Sequence, residues 1–326
     1  MNLSKILNKD KLSKSDLLSL LAEEDTGRLA SIFAKANEVK RQYCTDEIQV
    51  SGLIEFSNFC EEKCKYCTIG SGSGCNDNFR MDPEEVISLA NQISNNGIKS
   101  VILQSGSDHY FDSDLISYIV FSIRKKTNID IILNIGRRDI KEYRNWNLSG
   151  ASVYMMKYPI AKGIIAQDGN LSRLEILKRD LNELKESDMK LGVSTMVGLP
   201  NNTLDDLADL ILLMCEMQLE NASFTPYLTE TFPGNRTNNR KNHFLTLKAI
   251  AVSRIVLKNS KISALPIAFI TENQRNERGF NIGSNLLITD FTPLKYKEFQ
   301  KATLCNQFSK HYSKIPSFTT NISIAE

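Results

Sequence analysis

Residues 50–67 read VSGLIEFSNFCEEKCKYC, an apolar run that ends in a short polar turn and opens directly into three thiols, Cys60, Cys64 and Cys67. The first seven residues suit a strand. Working outward, the same kind of run recurs at 99–104 (KSVILQ), 129–135 (IDIILNI), 151–156 (ASVYMM), 191–197 (LGVSTMV), 221–226 (NASFTP), 262–267 (ISALPI) and 285–289 (NLLIT). Between the runs lie helical patterns such as DPEEVISLANQISNN, RLEILKRDLNELKES and TLDDLADLILLMCEMQ. Several start behind Asp, Ser or Thr, whose side chains accept the free N–H groups of a first helical turn. Regular strand–helix alternation predicts a parallel sheet covered by helices. Eight repeats predict a TIM-like (β/α)8 barrel rather than an open sheet, with a partial (β/α)6 barrel as the alternative. Toward the N-terminus, residues 12–41 carry leucines and charges at helical spacing with no strand signal. The expected organisation is an α-helical extension over 1–44, a barrel over 45–300 and a tail over 301–326.

A chain of 326 residues, 41% of them apolar, buries a core large enough to fold without disulfides or structural metals. Its 40 basic and 38 acidic residues are interspersed and leave a formal charge of +2, so composition gives no support to nucleic-acid binding. The opening MNLSKILNKDKLSKSD has no apolar signal core, and no run approaches the ~18 apolar residues of a membrane span. A soluble, cytoplasmic protein is expected, without membrane partners. The seven cysteines, Cys44, Cys60, Cys64, Cys67, Cys75, Cys215 and Cys305, are an odd number, which favours metal or redox chemistry over disulfides. Cys215, within an apolar helical pattern, is expected to behave as a small hydrophobe.

The dense thiols follow the first strand, on the loop that a barrel presents at its active-site face. Soft sulfur ligands select zinc or iron–sulfur clusters. A closed structural zinc site takes four protein ligands, whereas three thiolates on a 4Fe-4S cluster leave one iron free for an outside ligand. The alternative is a zinc knuckle or an electron-transfer cluster with Cys75 as a fourth ligand, which would make the protein non-catalytic. Zinc knuckles usually pair two Cys-x2-Cys units, and no second unit exists here.

The spacing Cys60-x3-Cys64-x2-Cys67, with Tyr66 before the last cysteine, resembles the signature of radical S-adenosylmethionine (SAM) enzymes. LIEFSNFCEEKCKYC, MDPEEVISLA, VILQSGSD, STMVGLPNNT, LTLKAIAVSRIVL and NIGSNLLITDFTP resemble, in this order, the HydE family of FeFe-hydrogenase maturation enzymes over roughly residues 45 to 300. The resemblance implies one 4Fe-4S cluster held by Cys60, Cys64 and Cys67, SAM on the open iron, and reductive cleavage to a 5'-deoxyadenosyl radical that attacks a small-molecule substrate. It implies an external electron donor of the ferredoxin or flavodoxin type, and oxygen sensitivity. It assigns cofactor contacts to Tyr66, Gln104, Ser105, Gly106, Lys157, Arg179, Met196, Gly198 and Leu199, and makes Asp108, Arg137 and Thr292 candidates for the substrate cavity. Methylornithine-synthase-like and biotin-synthase-like enzymes of the same clan are the alternatives. The second cluster of biotin synthase is not expected, because the later strands carry no cysteine. Two departures from the HydE pattern stand out: Ser107 and Pro159 occupy positions where that family has carboxylates.

Overall fold

The computed structural model describes residues 3–44, 48–62, 64, 78–158, 171–200, 202–227, 239–263 and 282–296. Three helices come first: α1 (Leu3–Leu7), α2 (Lys14–Leu21) and α3 (Thr26–Tyr43). Strands and helices then alternate: β1 (Gln49–Ser57), α4 (Pro83–Asn95), β2 (Ser100–Ser105), α5 (Ser113–Lys126), β3 (Asp130–Asn134), α6 (Ile140–Ser149), β4 (Val153–Tyr158) and α7 (Arg173–Lys185). They continue with β5 (Lys190–Val197), α8 (Leu204–Glu216), β6 (Asn221–Pro226), α9 (Asn239–Val256), β7 (Lys261–Ile262) and β8 (Leu286–Asp290). All pairings are parallel, in the order β7-β6-β5-β4-β3-β2-β1-β8. This is the wall of a TIM-like barrel. Each expected strand meets an observed one; of the seventh, residues 264–267 lie outside the described residues.

The helices form where capping and apolar spacing agree. In α4, Asp82 accepts the N–H of Glu84, Pro83 occupies the first turn, and Val86, Ile87, Ala90 and Ile93 fall on one buried face. Burial of each Val or Ile contributes ~1.5–3 kcal/mol. In α8, Leu207, Ala208, Leu210, Ile211, Leu213 and Met214 are buried, whereas Cys215 is exposed. The expectation for Cys215 is therefore corrected: the inward stripe of α8 passes beside it. Among the described residues, no helix is long and apolar enough to cross a membrane.

The strands divide their side chains between two layers. Val101, Leu103, Ile131, Leu133, Tyr154 and Met156 face the helices and join one large core that also includes Leu17, Leu20 and Ile32 of the N-terminal helices. The alternate residues Ile102, Ile132, Val153 and Met155, with Leu53 and Ile288, form a separate small cluster without any helix residue. By the period of two along a strand, that cluster is the apolar floor of the barrel lumen.

From β1 to β6 the wall is held by backbone ladders, but among the described residues β7 and β8 meet through a Ser263–Leu286 bridge and the Asn285 N–H to Ile262 O bond of 3.1 Å. Side chains complete this seam. Asn285 Oδ1 accepts the Ile262 N–H at 2.8 Å and Arg254 Nη2 at 2.7 Å. The fully buried Arg254 also donates to the carbonyls of Gly283 (2.6 Å), Lys258 (2.7 Å) and Ser260 (2.8 Å) and to Cys44 Sγ (3.2 Å). One guanidinium ties the ends of α3 and α9 to the starts of β7 and β8.

Candidate functional site

At the opposite end, β1 runs into the thiol loop. The loop leaves and returns through a short antiparallel neck: Asn58 N–H donates to Phe79 O (3.3 Å), Phe79 N–H to Asn58 Oδ1 (2.7 Å), and Met81 N–H to Phe56 O (2.7 Å), around a Ser57–Arg80 bridge. Cys60 and Cys64 stand beyond the neck, both partly exposed and neither in a disulfide. Tyr66, Cys67 and Cys75 lie outside the described residues.

The exit loop of β2 presses against Cys60. A Cβ on Gly106 would come within 2.1 Å of Phe59 O and 2.5 Å of Cys60 Cβ, so only glycine permits this approach. Ser107 then makes two backbone contacts: its N–H donates to Cys60 Sγ at 3.3 Å, and its carbonyl accepts the Glu61 N–H at 3.0 Å. Backbone N–H donors aimed at a cysteine sulfur are a feature of iron–sulfur sites, where they stabilise charge on the cluster. The two described thiols are soft and partly exposed, and Cys60 receives such a donor; they fit a 4Fe-4S cluster.

Asp108, 2% exposed, does not open to the lumen. Its carboxylate accepts Arg80 Nε (2.9 Å), Arg80 Nη2 (2.9 Å), the Ser57 hydroxyl (2.6 Å) and the Tyr110 N–H (3.2 Å). Burial pushes this carboxyl up, but the hydrogen bonds from Arg80, Ser57 and Tyr110 outweigh it and hold the group below the ordinary carboxylate range. The Arg80 guanidinium lies over the rings of Phe59 (3.8 Å) and Tyr110 (4.6 Å).

Two residues along each strand from the apolar floor, toward the thiol end, the lumen face becomes polar. Glu55, Gln104 and Asn134 are register neighbours on β1, β2 and β3. Gln104 Nε2 donates to Glu55 Oε1 (2.7 Å) and Asn134 Nδ2 to Gln104 Oε1 (3.1 Å), while Asn134 Oδ1 is buried with no partner among the described residues. The carboxylate, an acceptor only, fixes both amide orientations in turn. Thr292 is buried, and its hydroxyl accepts the Glu55 N–H at 2.9 Å. Lys157 on β4 follows Met155 on the same face and donates to Ser105 O at 2.7 Å.

The remaining sequence-derived residues separate into two groups. Arg137 and Arg179 converge on Asp180, whose Oδ2 is 3.0 Å from Arg137 Nε and whose Oδ1 is 3.0 Å from Arg179 Nη2. Burial pushes the Asp180 carboxyl up, even with both guanidiniums beside it. Met196, Gly198 and Leu199 line a cavity of about 760 Å³ reached by the first turns of α8 and α9 and by Leu21 of α2. Gly198 has φ +86°, and a Cβ there would strike Asn242, whose Nδ2 ties the Gly198 and Tyr227 carbonyls at 3.2 and 2.8 Å. The glycine thus allows an approach to α9. Pro159 lies outside the described residues.

Sequence reading missed Glu55, Asn134 and Arg80. The first two left a signal: a polar residue within an otherwise apolar strand, on the face of Leu53 and of Ile132. Arg80 left none, since its partner is far along the chain.

Comparison with known proteins places these features in context. Residues 54–152 match the model of the radical SAM superfamily. The [FeFe] hydrogenase maturase subunit HydE of Thermotoga maritima is 29% identical over 313 residues, covering 92% of this chain and 89% of that protein. The crystal structure of methylornithine synthase (PylB) superposes with a TM-score of 0.70 at 18% identity, covering 88% of this chain and 85% of that one. The [FeFe]-hydrogenase maturase HydG gives 0.74 at 16% identity, covering 91% of this chain and 68% of that one. At such identities the two structures establish the fold.

Proposed function

Because the chain belongs to the radical SAM superfamily and is HydE-like in sequence, we propose that Cys60, Cys64 and Cys67 hold its 4Fe-4S cluster at the mouth of the barrel, over a lumen that takes a small-molecule substrate. The observation that carries the reading is the meeting of the β1 thiol loop with the β2 exit loop, where the Ser107 N–H is already aimed at Cys60 Sγ. When bound, the cluster with SAM supplies one-electron cleavage of the sulfonium to a 5'-deoxyadenosyl radical. The chain's own residues do the rest. Cys60 and Cys64 follow the end of β1, and Gly106 lets the β2 exit loop close on Cys60. The apolar floor of Leu53, Ile102, Ile132, Val153, Met155 and Ile288 keeps water from the lower lumen. Above it, Glu55, Gln104 and Asn134 offer fixed hydrogen-bonding groups to a substrate, with Lys157 as a cation on the same side of the wall.

The SAM contacts proposed on this geometry are Gln104, Ser105, Gly106 and Lys157 at the mouth beside β2 and β4, and Met196, Gly198 and Leu199 at the end of β5; Tyr66, outside the described residues, is proposed on its place in the cysteine motif alone. Arg137 and Arg179 serve the site by way of Asp180. Thr292 holds the Glu55 backbone and so orients the lumen face. A ferredoxin- or flavodoxin-type protein is the proposed electron donor, with a cytoplasmic setting to match.

Anaerobic reconstitution with iron and sulfide, followed by dithionite and SAM, tests the reading. The wild type is expected to give 5'-deoxyadenosine, and Cys60→Ala, Cys64→Ala and Cys67→Ala each to give none, with Cys75→Ala keeping the cluster. Absence of any SAM cleavage product from an iron-loaded wild type would sink the proposal.

A further inference from the structure

We propose that Arg80 is a positioning residue for the cluster, and that with Asp108 it fixes the distance between Cys60 and the Ser107 N–H and so sets the cluster's reduction potential and its retention. The inference rests on the reading of Cys60 as a cluster ligand.

Arg80 stands in the returning arm of the neck, at the Ser57–Arg80 bridge, and reaches across to the β2 exit loop. There both oxygens of Asp108 take its donors at 2.9 Å, the parallel two-point geometry that a guanidinium makes and an ammonium does not. The face of the same guanidinium covers Phe59, the residue before Cys60, at 3.8 Å. Asp108 is two residues past Gly106 and one past Ser107, so whatever holds Asp108 holds the loop that contacts Cys60. One side chain therefore joins the three segments that meet at the cluster: the outgoing arm with Phe59, the returning arm, and the loop that supplies the N–H donor. The Ser57 hydroxyl adds a fourth bond, from the end of β1 to the same carboxylate at 2.6 Å.

The consequence is a potential set at a distance. An N–H bond to a cluster sulfur stabilises the more negative, reduced state and raises the potential. If the pin is removed, the Ser107 loop relaxes away from Cys60 and the potential falls. A charge effect alone would behave differently. Removing the cation in Arg80→Met lowers the potential by either route, but removing the anion in Asp108→Asn raises it by charge and lowers it by loss of position. The two variants together separate the explanations.

The experiment uses the full-length, anaerobically reconstituted protein: redox titration followed by EPR of the reduced cluster, and iron release to a chelator. Both Arg80→Met and Asp108→Asn are expected to lower the midpoint potential, change the EPR line shape and release iron ~10-fold faster, the usual scale for groups that orient metal ligands. Arg80→Lys, which keeps the charge without the two-point bond, should fall between wild type and Arg80→Met, and it is the variant to read if Arg80→Met does not fold. Wild-type potentials in all three variants, or a raised potential in Asp108→Asn, would overturn the proposal while leaving the cluster reading intact. A wild type that takes up no iron and shows no reduced signal overturns both.

Discussion

Two arginines at opposite ends of the barrel do similar mechanical work with different partners. Arg80 at the mouth meets a carboxylate, Asp108, and two aromatic faces. Arg254 at the base meets three carbonyls, an amide oxygen and a thiol, with no carboxylate among its partners in the described residues. Geometry explains the division. The base needs many donors at once, because the described residues of β7 and β8 form no ladder, and a planar guanidinium offers five. The mouth carries the loop proposed to hold the cluster, and a paired charge gives that loop a strong, directional lock. The base arginine closes the fold and the mouth arginine shapes the site.

The largest expected effect is at the base. Arg254→Met would leave the carbonyls of Gly283, Lys258 and Ser260 buried without their donor, at a cost on the order of 4 kcal/mol in all. Urea unfolding should show it as a large drop in midpoint, and a drop under ~1 kcal/mol would mean that the seam does not depend on Arg254. Next comes Gly106→Ala at the mouth, where the added methyl meets the Phe59 carbonyl. Overpacking of this kind costs ~1–3 kcal/mol, and here it should also weaken iron binding, which the Arg254 variant, if it folds, should retain. Iron content per folded protein distinguishes the two ends.

A smaller effect is expected from pH. The Asp108 carboxyl lies below its ordinary range, so its contribution is complete above the usual value of ~3.9 and is lost as pH falls through the lowered value. Among the described residues Arg254 has no carboxylate partner, so the base should not respond in that window. Hydrogen exchange on the cluster-free chain between pH 5 and pH 3, corrected for intrinsic rates, should show amides at Glu61 and Ser107 losing protection before that of Ile262. Equal loss at both ends would remove the distinction.

How far the sequence shows these two ends differs in the same way. The wall is legible because each strand is a short apolar run, and the thiol loop because three cysteines in eight residues have few other meanings. Arg254 lies in LTLKAIAVSRIVL, a helical pattern that names no partner for it; only the fold brings Cys44, Gly283 and Asn285 to it. Asp108 reads as a free carboxylate near a site until Arg80, 28 residues earlier, is seen beside it. Arg137 and Arg179 read as cations for an anionic ligand, yet Asp180, next to Arg179 in sequence, takes both. Local pattern encodes elements, while the partner of a charge depends on the packing of distant loops.

The smallest expected effect is also the most discriminating for the lumen. Asn134 is buried, and its Oδ1 has no partner among the described residues, which costs ~1–3 kcal/mol relative to a satisfied group. Asn134→Leu removes that unpaired acceptor along with one bond to Gln104 Oε1, and the side chain of similar volume would extend the apolar floor beside Met155. The losses and gains nearly cancel, so the thermal midpoint should stay within the equivalent of ~1 kcal/mol of wild type or rise. A residue kept for the fold would behave as Arg254 does, and a fall beyond ~2 kcal/mol would place Asn134 with the base seam. If stability holds while substrate turnover is lost, the polar side chain is retained at the fold's expense for what enters the lumen, as expected where an active site departs from the best packing.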